Sequence, residues 1–216
     1  GFVAVAAGEG VKQLFLDLGV NQVVSGGQTM NPSTDEILRA IQATPAKTVI
    51  VLPNNKNIIM AAEQTISLAD RKVKVLPTRT IPQGLSAMLA FDPEKATEEN
   101  LIAMGKAADK VGTGSVTFAA RDSDYDGHHI KEGELLALEN GRVAFTDKDL
   151  VHAAVKLTRS LMKKDTSFIT IIYGEDVSPE QAAQVEEAVR DRVPDSVELV
   201  AIPGGQPVYY LLISVE

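Results

Sequence analysis

The 216-residue sequence has no cysteine and no tryptophan. Without cysteine there can be no disulfide, no thiolate metal site and no Cys nucleophile, and the redox compartment is left open. Only three histidines, His128, His129 and His152, could supply imidazole. No apolar run approaches the roughly 18–20 residues a membrane helix needs. Nothing resembles a signal peptide either. Positive charge is scarce: 21 Lys and Arg stand against 29 Asp and Glu, a formal net charge of −8. Basic runs are no longer than Arg71-Lys72 or Lys163-Lys164. Such a chain binds polyanions poorly, so nucleic acid is not expected as a partner.

What remains is ordinary globular material, 44% apolar and 23% charged, enough for one large α/β domain or two small ones. The first 91 residues alternate strand and helix signals. Phe2–Ala6, 20–24, Thr48–Leu52 and 73–76 read as strands, and Thr48–Leu52 is the unbroken β-branched run of a strand buried on both faces. Helical spacing of apolar residues fills the gaps, with a capping-box pattern at Ser33 and Glu36. Strands separated by single helices predict a mostly parallel sheet with helical crossovers. Residues 92–111 are expected to form a connecting helix, followed by a Gly112-Thr113-Gly114 linker.

From 112 to 216 the grammar changes to a second α/β subdomain with a mixed sheet. Segments 115–120 and 134–139 alternate, and Asn140-Gly141 is a strong hairpin signal. Asp147 is expected to start a long helix through Leu161. Phe168–Tyr173 reads as a buried strand, and Ser178-Pro179-Glu180-Gln181 as a capping box with Pro at the first helical position. Segments 197–201 and 208–215 complete the strands. A weak internal echo links the halves, since Gly-Gly-Gln occurs at 26–28 and again at 204–206.

In a parallel sheet the loops after the strands gather at the carboxyl edge, where open α/β folds bind ligands. Here those loops carry Gly26, Gly27, Gln28, Thr29 and Asn31 after the second strand. Asn54, Asn55, Lys56 and Asn57 follow the third, and Thr78, Arg79 and Gln83 the fourth. Amides, hydroxyls and glycine recognise polar or anionic groups through hydrogen bonds. Gly, Asn and Pro are equally the ordinary residues of such turns. The glycines form neither a dinucleotide fingerprint nor a Walker sequence. Asp122, Asp124, Asp126 and Gly127 imitate a calcium loop, but Gly133 stands where its bidentate Glu belongs, so an acidic hairpin tip is expected. No nucleophile–base pair is evident, and no catalytic residue or metal ligand is assigned.

The strings at 25–34, 52–57 and 77–84, with Ile171–Val177 and Gly204-Gly205-Gln206-Pro207, resemble the C-terminal part of the bacterial fatty acid kinase A subunit, from a dihydroxyacetone-kinase-like family. The resemblance spans nearly the whole chain. It implies a cytoplasmic two-component kinase. Its N-terminal ATP- and magnesium-binding domain phosphorylates a fatty acid carried by a separate B subunit, and the acyl phosphate enters phospholipid synthesis. Gly1 runs straight into Phe2–Ala6 with no initiator Met, so the chain is expected to be a fragment lacking that catalytic domain. It would be a non-enzymatic docking module without cofactor, its partners being the rest of its own polypeptide and the B subunit. A regulatory site for phosphate, carboxylate or acyl phosphate on the same loops is the alternative.

Overall fold

The computed structural model describes residues 1–26, 31–125 and 127–216. They form an α/β protein of two compact units, Gly1–Lys110 and Val111–Glu216.

In the first unit β1 (Phe2–Ala6), β2 (Gln22–Ser25), β3 (Thr48–Leu52) and β4 (Lys72–Val75) form an all-parallel sheet in the order β2-β1-β3-β4. The crossovers are α1 (Glu9–Asp17), α2 (Thr34–Gln42) and α3 (Ile59–Leu68). Period-two alternation explains the layering. Val3, Val5, Val49 and Val51 meet Ile37 and Ile41 of α2 and Ala62 of α3, whereas Phe2 on the opposite face sets its ring edge-on to Phe91 at 4.8 Å. The expected capping box at Ser33 and Glu36 closes in both directions and fixes where α2 begins. Helices α4 (Ile81–Leu89) and α5 (Thr97–Lys110) pack on each other. The segment expected to connect two subdomains therefore folds within the first unit, and its buried Asn100 holds Asp92 through N–H and C=O bonds of 2.9 and 2.8 Å.

The second unit is built on a six-stranded mixed sheet in the order β11-β10-β12-β5-β8-β9. Its strands are β5 (Gly112–Phe118), β8 (Leu135–Glu139), β9 (Arg142–Asp147), β10 (Phe168–Tyr173), β11 (Glu198–Pro203) and β12 (Leu211–Val215). Only β10 and β11 run parallel. A small hairpin of β6 (Ser123–Tyr125) and β7 (His128–Ile130) stands apart, tied by His129 Nδ1 to Asp124 at 2.8 Å. Helices α6 (Leu150–Leu161) and α7 (Pro179–Arg190) bury Leu157, Leu161, Val185 and Val189 against Ile169, Ile171, Leu211 and Ile213.

Asn140 and Gly141 take φ of 50° and 87°, the left-handed pair that a two-residue hairpin turn requires. Two expectations for this unit are corrected. Gly112-Thr113-Gly114 is the start of β5, not a linker, because the glycines serve packing: a Cβ on Gly114 would stand 2.8 Å from Leu157 of α6. Asp147 ends β9 instead of starting a helix, and Asp149 caps α6, its carboxylate accepting from the Val151 N–H at 2.9 Å. Among the described residues no helix is long and apolar enough to cross a membrane.

Candidate functional site

Strand order β2-β1-β3-β4 reverses direction of travel between β1 and β3, which opens a crevice beyond their carboxyl ends. Asn54 fills it from the loop after β3. Its backbone is left-handed, φ 58°, and its side chain is buried. Its Nδ2 donates to the Val5 carbonyl of β1 at 3.0 Å, and its Oδ1 accepts from the Thr78 hydroxyl at 2.8 Å. That hydroxyl in turn accepts from the Asn54 N–H at 3.1 Å. The cluster thus ties the ends of β1, β3 and β4 together with every buried amide atom used. Gly84 of α4 lies so close that a Cβ there would overlap the Asn54 carboxamide.

The neighbouring polar groups also hold loops. Buried Asn55 accepts from the Asn57 N–H through Oδ1 at 2.9 Å, an Asx turn leading into α3. Thr80 caps α4 by accepting from the Gln83 N–H at 3.1 Å, while Gln83 Oε1 accepts from the Arg79 N–H at 2.8 Å. Gly26 is buried, its N–H donating to the Ala6 carbonyl at 3.3 Å. Lys56, Asn57, Arg79 and Asn31 are exposed. Among the described residues neither Lys56 nor Arg79 has an ion-pair partner for its side-chain cation. Gly27, Gln28 and Thr29 lie outside the described residues.

The edge therefore separates into an inner layer, Asn54, Asn55, Thr78 and Gly26, that fixes loop shape, and an outer layer, Asn31, Lys56, Asn57 and Arg79, that faces solvent. Gln83 stands between them. Amides, a hydroxyl and two cations can recognise carboxylates or carbonyls, but they contain no proton-transfer pair. Among the described residues no three His, Asp or Glu side chains converge as metal ligands.

The sequence did not reveal that the second unit uses the same device. Gln206, buried beyond β11, donates through Nε2 to the Ile172 carbonyl of β10 at 3.0 Å. In both units a side-chain amide after one parallel strand reaches back to the penultimate carbonyl of its neighbour. The repeated Gly-Gly-Gln string pairs Gln206 with Gln28, not with Asn54, so it did not signal this match.

Residues 1–216 match the family described as fatty acid kinase A-subunit-like, C-terminal. The chain belongs to that family. It is 43% identical to protein YloV of Bacillus subtilis over 216 residues, all of this chain and 39% of that protein. It is 36% identical to an uncharacterised protein of Staphylococcus aureus over 214 residues, 99% of this chain and 39% of that one. The chain thus spans about two-fifths of these relatives.

Solved structures share the fold at low identity. A DegV family protein of Corynebacterium glutamicum aligns with TM-score 0.71 and 16% identity over 99% of this chain and 95% of that one. A fatty-acid-binding DegV family protein of Thermus thermophilus gives 0.67 and 14% over 99% and 98%. The dihydroxyacetone kinase of C. freundii gives 0.65 and 13% over 100% of this chain and 47% of that one. The resemblance to the C-terminal part of the fatty acid kinase A subunit stands, as does the α/β architecture with one parallel and one mixed sheet, a fold shared with the dihydroxyacetone kinase structure.

Proposed function

We propose that this chain is the docking module of a two-component fatty acid kinase. It receives a separate fatty-acid-carrying protein, the B subunit, which it holds so that the acyl carboxylate is phosphorylated to acyl phosphate by an ATP- and magnesium-binding domain elsewhere in the polypeptide. No chemical step and no cofactor are assigned to these residues, and the setting is cytoplasmic.

The observation that carries this reading is the two-layered carboxyl edge of the first unit. Bonds of Asn54, Thr78 and Asn55 fix the backbone of the loops after β3 and β4, which carry the exposed Lys56, Asn57 and Arg79, with Asn31 exposed beyond β2. A preorganised polar rim of this kind gives an interface specificity through paired hydrogen bonds and charge. The family described above and the fatty-acid-binding DegV neighbour support a fatty-acid-related setting.

Calorimetric titration of the chain with purified, lipid-loaded carrier tests it. Saturable binding is expected, weakened by about tenfold or more in Lys56→Ala/Arg79→Ala, the scale of losing interfacial charge pairs. Wild-type affinity in that double variant would move the interface off these loops. The exposed, unpaired cations favour one second reading, a regulatory anion site. It would show as a rise in melting temperature with phosphate or an acyl phosphate in the absence of carrier.

A further inference from the structure

In the first unit Asn54 uses both ends of its amide, Nδ2 on the Val5 carbonyl and Oδ1 on the Thr78 hydroxyl. Gln206 of the second unit repeats only the first half. Its Nε2 donates to the Ile172 carbonyl at 3.0 Å, while its fully buried Oε1 has no hydrogen-bond partner among the described residues. A buried acceptor in that state is costly and calls for an explanation. Sheet order supplies one. Thr78 follows β4, the strand beyond β3, whereas β11 is the edge of its sheet and has no outer neighbour to deliver a hydroxyl.

The same loop is strained. Val208 takes φ 71°, a region that β-branched residues avoid. The Tyr209 N–H reaches back across it to the Pro207 carbonyl at 2.7 Å, the strained form of the γ-turn. Neighbours hold the turn in place. The Thr117 hydroxyl donates to the Val208 carbonyl at 2.8 Å, and the Tyr210 N–H to the Val116 carbonyl at 2.8 Å. A Cβ on Gly174 would overlap the Tyr209 carbonyl, so the strand end is pared back to admit the loop. Strain of this kind, held by its surroundings, collects at ligand clamps and switch segments. Here it lies beyond the carboxyl ends of β10 and β11, the parallel pair, where open α/β sheets bind ligands.

The chemistry of the missing partner is narrow. With Nε2 committed to Ile172 the amide cannot turn over, and Oε1 can only accept. Carboxylates and fully ionised phosphates bring no donor and do not fit. Burial disfavours an ammonium: Gln206 is 4% exposed, and on the same loop burial alone pushes the Tyr209 phenol up to about 12. A neutral donor remains, and in the first unit a hydroxyl takes the corresponding place.

We propose that the second unit binds a neutral, hydroxylated small molecule beyond β10 and β11, its hydroxyl donating to Gln206 Oε1, with the Gly204–Tyr210 loop as the gate. The structure shows the gate closed. Opening releases the turn at Val208 and uncovers the acceptor, so the strain favours entry of the ligand. This site does not depend on the function proposed for the loops of the first unit.

Nuclear magnetic resonance on the chain tests it with two probes of one skeleton, ethylene glycol and its dimethyl ether, which accepts but does not donate. The glycol is expected to shift the Gln206 side-chain amide signals and the Val208 and Tyr209 amides saturably. Its half-saturation should be about tenfold lower than that of the ether, as for a site built around a hydroxyl. Gln206→Met should erase the difference. Two further variants, their fold checked by circular dichroism, should act in opposite directions. Val208→Asn suits the closed turn and should weaken glycol binding by about threefold or more, whereas Thr117→Val unpins the turn and should strengthen it. Equal or absent responses to the two probes, glycol binding that survives in Gln206→Met, or a shift of the same sign in both gate variants overturns the proposal. A crystal structure grown in the glycol with only water on Gln206 Oε1 overturns it in favour of hydration alone.

Discussion

Replacing Asn54 by Ala should loosen the carboxyl edge of the first unit more than any exposed substitution there. The change removes the donor to the Val5 carbonyl and the acceptor for the Thr78 hydroxyl. The Val5 carbonyl is left buried without that partner, and the Thr78 hydroxyl loses its acceptor while still accepting from the backbone N–H at position 54, a loss of about 1–3 kcal/mol apiece. It also places Ala at φ 58°, where a residue with a Cβ and no local hydrogen bond is disfavoured by about 1–2 kcal/mol. A total of about 3 kcal/mol or more corresponds to roughly a hundredfold faster amide exchange, at about 1.4 kcal/mol per tenfold. Hydrogen exchange read at the β1 and β3 amides is the suitable assay, because all four tyrosines lie in the second half of the sequence and report nothing on the first unit. Asn54→Gly separates the two contributions, since it loses the hydrogen bonds but suits the backbone. Gly84→Ala should be comparably harmful by driving its Cβ into the Asn54 carboxamide, and should become mild in the Asn54→Gly background. A change below about threefold in exchange for Asn54→Ala, or a Gly84→Ala effect indifferent to residue 54, would refute the crevice-filling role.

Two further outcomes are expected in the second unit. Gly114→Ala should destabilise it by about 1–3 kcal/mol, the usual scale of overpacking, because the added Cβ meets Leu157 at 2.8 Å; urea unfolding followed by tyrosine fluorescence measures this. Burial raises the Tyr209 phenol from 10.0 to about 12. The native state therefore holds that proton longer than the unfolded chain does. Its contribution is complete below about pH 10 and is lost as pH rises through about 12, on the order of a few kcal/mol. Tyr209→Phe should remove that part of the alkaline loss, and identical alkaline profiles for the two proteins would contradict it.

The first unit was legible because its signals agree. Thr48–Leu52 is a continuous β-branched run, and the Ser33–Glu36 box marks a helix start that the structure reproduces. In the second unit one residue type served two purposes. Gly112 and Gly114 read as a flexible linker, yet they are strand residues whose missing side chains let α6 approach. Asp147 and Asp149 are both plausible caps by composition, and only β9's pairing with β8, Asp147 opposite Leu135, decides between them.

At the carboxyl edge the sequence located the loops but not the direction each side chain takes. Asn54 and Lys56 are two residues apart in one turn, and one is buried in the crevice while the other is exposed. Asparagine is both a left-handed turn former and a donor that can satisfy a buried carbonyl, so its presence alone does not separate recognition from scaffolding. The matching use of Gln206 on Ile172 depends on strand adjacency, which only the folded sheet supplies.

The most direct test of the docking account is hydrogen exchange on the chain with and without saturating lipid-loaded carrier. The account predicts new protection concentrated in the amides of 53–57 and 77–83, with α3 and α4 protected from their first turns. Exchange unchanged at those loops while the carrier is bound, or carrier that does not bind at all, would contradict it.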